Sequence, residues 1–219
     1  MIEFEYIDNI LINKPPFCVP TDNEKNYRLE ESQDSVLKRK GLNQNILIND
    51  NDIQHFKLYK FDTKTPDPFP FLNTDNETLP KSVRSFCDYF AICTYKNKFY
   101  IVLFELKAIE KIGSKGDEKK EAKLQLQISE CFAKYVLDLA NTSKEKNKST
   151  YKGIENSNFT NDNIKKCIIM SVIKNPPTAT TNPRKSKKLT NIQHEGRNVY
   201  VGFFKIHDEF ALADLFSLF

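Results

Sequence analysis

The apolar positions of the chain change period several times, and each change marks an element. Ile2, Phe4, Tyr6, Ile10 and Ile12 alternate weakly before Pro15, Pro16 and Pro20, which predicts a short edge strand or an extended arm. Asn23 to Lys40 is charged, with Tyr27, Leu29, Val36 and Leu37 as its apolar points and Gly41 behind it as a C-terminal cap, so a helix is expected. Asn45 to Phe61 reads as one or two strands, and the prolines of Thr65-Pro66-Asp67-Pro68-Phe69-Pro70 exclude a central strand.

The clearest pattern starts at Phe86. Cys87 to Tyr95 and Phe99 to Lys107 are rich in Phe, Tyr, Ile and Val and are joined by Lys96-Asn97-Lys98, a hairpin signal. From Asp117 to Leu139 the period becomes helical, and Leu124, Ile128, Cys131, Phe132, Tyr135 and Leu139 form a stripe expected to face a core. Asn141 to Asn163 reads as a polar connection, Cys167 to Ile173 as a buried strand and Asn175 to Asn198 as a basic loop. Asn198 to Ile206 alternates as another strand before a short terminal helix. A helix linking a hairpin to a later strand predicts an α/β fold, with a mixed central β-sheet flanked by helices. No internal repeat and no sharp composition break appear, so a single domain over residues 1–219 is expected, its core at approximately 23–206.

Composition narrows the class. Apolar residues make up 39% of the chain, with 17 Phe and 9 Tyr, enough to bury a core. The most apolar run, Phe99 to Phe104, is far shorter than the roughly 18–20 residues of a membrane helix, and the acidic start Met1-Ile2-Glu3-Phe4-Glu5 lacks a basic signal-peptide head. Neither membrane insertion nor ordinary secretion is expected. Cys18, Cys87, Cys93, Cys131 and Cys167 are odd in number and scattered, which points to reduced, mostly buried thiols and a cytoplasmic protein. The histidines His55, His194 and His207 lack close cysteine partners, so no structural zinc is expected. The net charge of +4 is uneven: residues 1–95 carry 11 basic and 15 acidic side chains, and residues 96–219 carry 22 and 14, a net +8. That excess is either a positive face for a polyanion or a solvated lysine-rich surface.

The hairpin brings two carboxylates together. With Lys96 and Asn97 as a two-residue turn, opposed residues sum to 193, so Asp88 falls opposite Glu105 on one face. Like charges so placed call for a cation, and Lys107 lies on the same face two residues beyond Glu105. Hard oxygen ligands of this kind suit Mg²⁺ or Mn²⁺. An ordinary charged strand end is the competing reading, but Glu105-Leu106-Lys107 directly follows the apolar run Tyr100-Ile101-Val102-Leu103-Phe104, an odd place for charge unless a buried strand delivers it to a site.

The stretches Lys81-Ser82-Val83-Arg84-Ser85-Phe86-Cys87-Asp88-Tyr89-Phe90 and Phe99 to Lys107, followed by a long helix, resemble the PD-(D/E)XK nuclease superfamily, the restriction-endonuclease-like fold. The similarity spans approximately Ser82 to Ile173, and its α-β-β-β-α-β order extends loosely to the helix expected near Glu30. The resemblance implies a Mg²⁺-dependent (or Mn²⁺-dependent) endonuclease acting on DNA, with RNA as an alternative substrate and restriction or defence against foreign DNA as a role. It puts the metal on Asp88, Glu105 and the Leu106 backbone carbonyl, and water activation on Lys107; Cys87 stands where the motif has proline. A further acidic ligand from the first core helix would fall among Glu30, Glu31 and Asp34, with Glu30 the nominal choice. The Gln-x-x-x-Tyr signature of one branch is not reproduced, because Cys131 follows four residues after Gln127. Gln125 and Gln127 are either phosphate contacts or plain surface glutamines, and Lys119, Lys120 and Lys123 are either backbone clamps or solvated charges. Arg184, Lys185, Lys187 and Lys188 suit a loop that tracks phosphates. A homodimer is the natural way to cut both strands. The competing class is a non-catalytic nucleic-acid-binding or interaction module on the same fold.

Overall fold

The computed structural model describes residues 2–11, 18–20, 26–30, 43–47, 53–61, 86–109, 117–172, 190–194, 197–205 and 209–217. Their centre is the hairpin the sequence predicts. Strand β5 (Tyr89–Tyr95) and strand β6 (Lys98–Ile109) pair antiparallel from Tyr89↔Phe104 to Tyr95↔Lys98, every pair summing to 193. Lys96 (φ 47°) and Asn97 (φ 61°) both take left-handed backbone, the requirement of a tight two-residue turn whose twist matches the strands.

Strand β4 (Ile53–Phe61) adds antiparallel to β5, and β1 (Cys18–Pro20) pairs with β4. On the other side β7 (Ile164–Val172) lies parallel to β6, and β9 (Arg197–Lys205) parallel to β7. Strand β8 (Thr190–His194) is the antiparallel edge, giving a seven-stranded mixed sheet in the order β1-β4-β5-β6-β7-β9-β8. The fold is therefore α/β with a mixed central sheet. A parallel pair needs a crossover, and helix α2 (Asp117–Asn147) supplies it between β6 and β7. The middle strands read as unbroken apolar runs because both faces are covered. One face, carrying Phe90, Ile92, Ile101, Leu103 and Ile168, packs under α2 and helix α1 (Ile2–Leu11). The other, carrying Val102, Phe104, Leu106 and Ile169, packs under the short helix α3 (Leu212–Phe216). Among the described residues no helix is long and apolar enough to cross a membrane.

Four expectations change. Residues 2–11 form α1, not an edge strand: Tyr6 and Ile7 are buried against α2's layer, and Glu3 and Glu5 sit at the helix N-terminus, where negative charge is favourable. The helix expected at Asn23 to Lys40 is, in its described part, strand β2 (Asn26–Glu30), so Glu30 lies on a strand. The alternation of Tyr27 and Leu29 is satisfied there by pairing with β3 (Asn43–Leu47), which runs parallel to β10 (Glu209–Ala211) in a separate three-stranded sheet. Residues 31–42, with Glu31 and Asp34, are outside the described residues. Part of the basic loop is strand, because the polar run Thr190–His194 finds its hydrogen bonds along β9 at the sheet edge.

The fourth change is the face of α2. Ala122, Leu126, Ser129, Ala133, Val136, Leu137 and Ala140 are buried, whereas Leu124, Tyr135 and Leu139 are 40%, 54% and 39% exposed and Cys131 is exposed. Small residues let the helix axis approach the sheet, and that favours the alanine-rich face over the bulkier stripe. Of the expected stripe only Phe132 is fully in the core, where its ring meets Phe86 and Phe90 edge-on. The same buried layer holds Glu130, whose Oε2 accepts from Lys166 Nζ at 2.7 Å and whose Oε1 lies 3.0 Å from Lys134 Nζ.

Candidate active site

The site forms where β5 begins and β6 runs on beyond it. Past Tyr89↔Phe104 the backbone ladder stops, and Asp88 occupies a bend at the position that the register sets opposite Glu105. Its side chain takes over from the ladder: the Leu106 N–H donates to Asp88 Oδ2 at 2.8 Å. In an extended strand the N–H and C=O of one residue point to the same neighbour, so the Leu106 carbonyl opens toward Asp88 as well.

Helix α2 fixes this bend from above through residues one turn apart. The Cys87 N–H donates to Ser129 Oγ at 2.7 Å, and Gln125 Nε2 donates to the Phe86 carbonyl at 3.3 Å. Ser129 Oγ in turn donates to the Gln125 carbonyl at 2.9 Å, and the Cys87 thiol is wholly buried, its pKa pushed well up by that burial. Asp88 is therefore presented by a clamped backbone and not by a free loop.

Glu105 is buried, its side chain 1% exposed, on the face of β6 that α2 covers. Lys107 Nζ lies 2.8 Å from Glu105 Oε1 and 4.0 Å from Glu121 Oε2 on α2. The ammonium and the Asp88 backbone N–H both lie against the Glu105 carboxylate, yet neither oxygen gains an aligned hydrogen bond among the described residues. Burial, and then the charge of Asp88, push the Glu105 pKa well above the usual carboxylate range. Burial likewise pushes Asp88 up to about 6, against the Leu106 N–H and the Lys107 and Lys60 charges, which favour its ionised form. Lys107 is raised from its ordinary value: the carboxylates of Glu105, Glu121 and Asp88 outweigh the burial that would lower it.

Two carboxylates that burial penalises, beside the Leu106 backbone carbonyl, form an oxygen donor set that a hard divalent cation would satisfy. Mg²⁺ suits one or two carboxylates with waters completing its shell. Asp88, Glu105 and the Leu106 carbonyl fit that group. Among the described residues no three His, Cys, Asp or Glu side chains converge as a metal cluster, so the protein's share would be two side chains and one carbonyl.

The structure brings Asp88, Glu105, Leu106 and Lys107 together as the sequence predicts. It does not bring in an acid from a helix at Glu30. Two acids of α1 are engaged elsewhere, since Asp8 accepts from Lys57 and Tyr59 and Glu3 from Ser157. Lys120 is exposed, Lys123 and Gln127 are half-buried on α2, and the Lys119 side chain and residues Arg184, Lys185, Lys187 and Lys188 are outside the described residues. Glu121 and Ser129 are the positions around the site that apolar periodicity misses, and Gln125, read from the sequence as a phosphate contact or a surface glutamine, holds the Phe86 carbonyl instead; the available signal was a polar residue every four positions along the helix. Comparison with protein-family models, with curated proteins and with solved structures finds no match to this chain.

Proposed function

We propose that the protein is a metal-dependent nuclease that hydrolyses phosphodiester bonds of DNA. The observation that carries this reading is Glu105: a carboxylate 1% exposed, held beside a second carboxylate with Lys107 at 2.8 Å as its cation, is costly to the fold and is retained where a cation and an anionic substrate occupy the site. Asp88, Glu105 and the Leu106 carbonyl would hold Mg²⁺ or Mn²⁺, which supplies a Lewis acid for the phosphoryl oxygen and a bound water of lowered pKa. The Leu106 N–H holds Asp88 Oδ2, so the rotamer that presents Oδ1 is set before substrate arrives. Lys107 donates to the attacking water and offsets charge that develops on the phosphorane oxygens. The +8 excess beyond Tyr95 suits attraction of a polyanion. The buried free thiols Cys87, Cys93 and Cys167 suit a reducing compartment, and we assign the activity to the cytoplasm.

Purified protein incubated with plasmid, single-stranded DNA and RNA, with Mg²⁺, Mn²⁺ or EDTA, tests the reading. Metal-dependent cutting of DNA is expected, and Lys107→Ala is expected to lower the rate at least a hundredfold while leaving DNA affinity within about twofold. Binding without cleavage of any of the three would establish a non-catalytic module instead. Cleavage confined to RNA would change the substrate and keep the site.

A further inference from the structure

The polar ridge of α2 does more than clamp the start of β5. Glu121, Gln125 and Ser129 follow one another at four-residue spacing and so share one face of the helix. Ser129 holds the Cys87 N–H, Gln125 holds the Phe86 carbonyl, and Glu121, at the end of the ridge nearest the helix start, reaches toward Lys107 on β6. The two carboxylates within 4.0 Å of the Lys107 ammonium among the described residues differ sharply. Glu105 is 1% exposed and Glu121 66% exposed, with Nζ 2.8 Å from the first and 4.0 Å from the second.

Without an ion, the Lys107 ammonium is the cation that offsets Glu105. A divalent ion ligated by Glu105 competes for the same oxygens and repels the ammonium. Lys107, 14% exposed, has little water to retreat into, and a compact ammonium is costly to strand without a partner. The next carboxylate is Glu121, and a small rotation of the four-carbon stem closes the remaining gap.

Resting on the nuclease reading above, we propose that Glu121 is a positioning residue that takes over the Lys107 ammonium when Glu105 ligates the divalent ion. Ion binding and placement of the lysine are then one coupled event. Lys107 leaves the carboxylate it guards and is held at the rim of the site, on the side of α2.

Mn²⁺ binding to the full chain, measured by titration calorimetry without nucleic acid, reads this directly. Glu105→Gln should abolish the site, and Lys107→Met should bind Mn²⁺ more tightly than wild type because the competing cation is gone. Glu121→Gln should weaken Mn²⁺ about five- to tenfold in the wild-type background, since the displaced ammonium loses its second partner, but less than twofold in the Lys107→Met background. An equal loss in both backgrounds would make Glu121 a bulk surface charge and overturn the proposal, as would no loss in either, or no tightening in Lys107→Met. Lys107→Gln replaces Lys107→Met if thermal unfolding shows the latter is not folded. If wild type and Glu105→Gln bind Mn²⁺ alike, the metal site itself is wrong and this inference falls with it; if they differ and Glu121→Gln matches wild type, only the role of Glu121 falls.

Discussion

Glu105 is expensive to the metal-free fold, and acid should show it. Burial gives Asp88 a folded pKa of about 6 against an ordinary 3.8, and burial likewise raises Glu105 well above its ordinary value. A carboxyl whose pKa rises on folding binds its proton more tightly in the native state, so its stabilising contribution is complete below its unfolded value and is lost as pH rises through its folded value. In EDTA, the part of the stability curve due to Asp88 should therefore fall between pH 4 and about 6.5. Urea unfolding across pH 4.5–8 checks this: Asp88→Asn should remove that fall, and an unchanged difference between mutant and wild type across the range would refute it. Saturating Mn²⁺ should reverse the trend, because the ion binds deprotonated carboxylates and its stabilisation grows with pH.

At the scale of elements, the site depends on one helix holding the end of one strand. Ser129→Ala leaves the buried Cys87 N–H without its acceptor, a loss of about 1–3 kcal/mol. The same change frees the bend that presents Asp88, so Mn²⁺ affinity should drop in parallel; Ile154→Val, buried elsewhere in the same core, should lower stability by about 1 kcal/mol and leave Mn²⁺ affinity unchanged. Unfolding midpoints and calorimetric titration of both variants separate these outcomes. The hairpin and its register were legible because pairing there is local and the side-chain period of two fixes every neighbour once the turn is placed. The crossover helix was legible as a helix, but its buried face was not: large apolar residues dominate a periodicity count, while close approach to a sheet selects Ala122, Ala133 and Ala140. Residues 2–11 and 26–30 were misread because Ile2, Tyr6 and Ile10 fit both periods, and because the partners of β2 lie 13–21 residues further along. Asp88, Glu105 and Lys107 could be read from the sequence, since they ride on the hairpin. The places of Glu121 and Ser129 and the clamping role of Gln125 could not, because they exist only once α2 is laid over the strands.

At the scale of the molecule, helix layer and sheet are tied by a buried ion pair as well as by apolar contact. Glu130 and Lys166 are 4% and 5% exposed, and although burial pushes the Glu130 carboxyl up, the hydrogen bonds from Lys166 and Lys134 bring it below its ordinary value. Glu130→Ala would strand Lys166 in the core and should cost about 3–5 kcal/mol, whereas Glu130→Leu with Lys166→Met should recover most of it. Equal unfolding midpoints for the single and double variants would show that the charges themselves contribute nothing. The other tie spans most of the chain. Tyr6 of α1 shares a 2.7 Å hydrogen bond with Ser143 Oγ near the far end of α2, 137 residues later, and its ring meets Tyr151 edge-on at 5.0 Å. A ribosome adding roughly 5–20 residues per second needs about 7–27 s to cover that distance. For that interval the nascent chain carries Tyr6 without Ser143, so this tie between the two helices cannot close until α2 is almost complete.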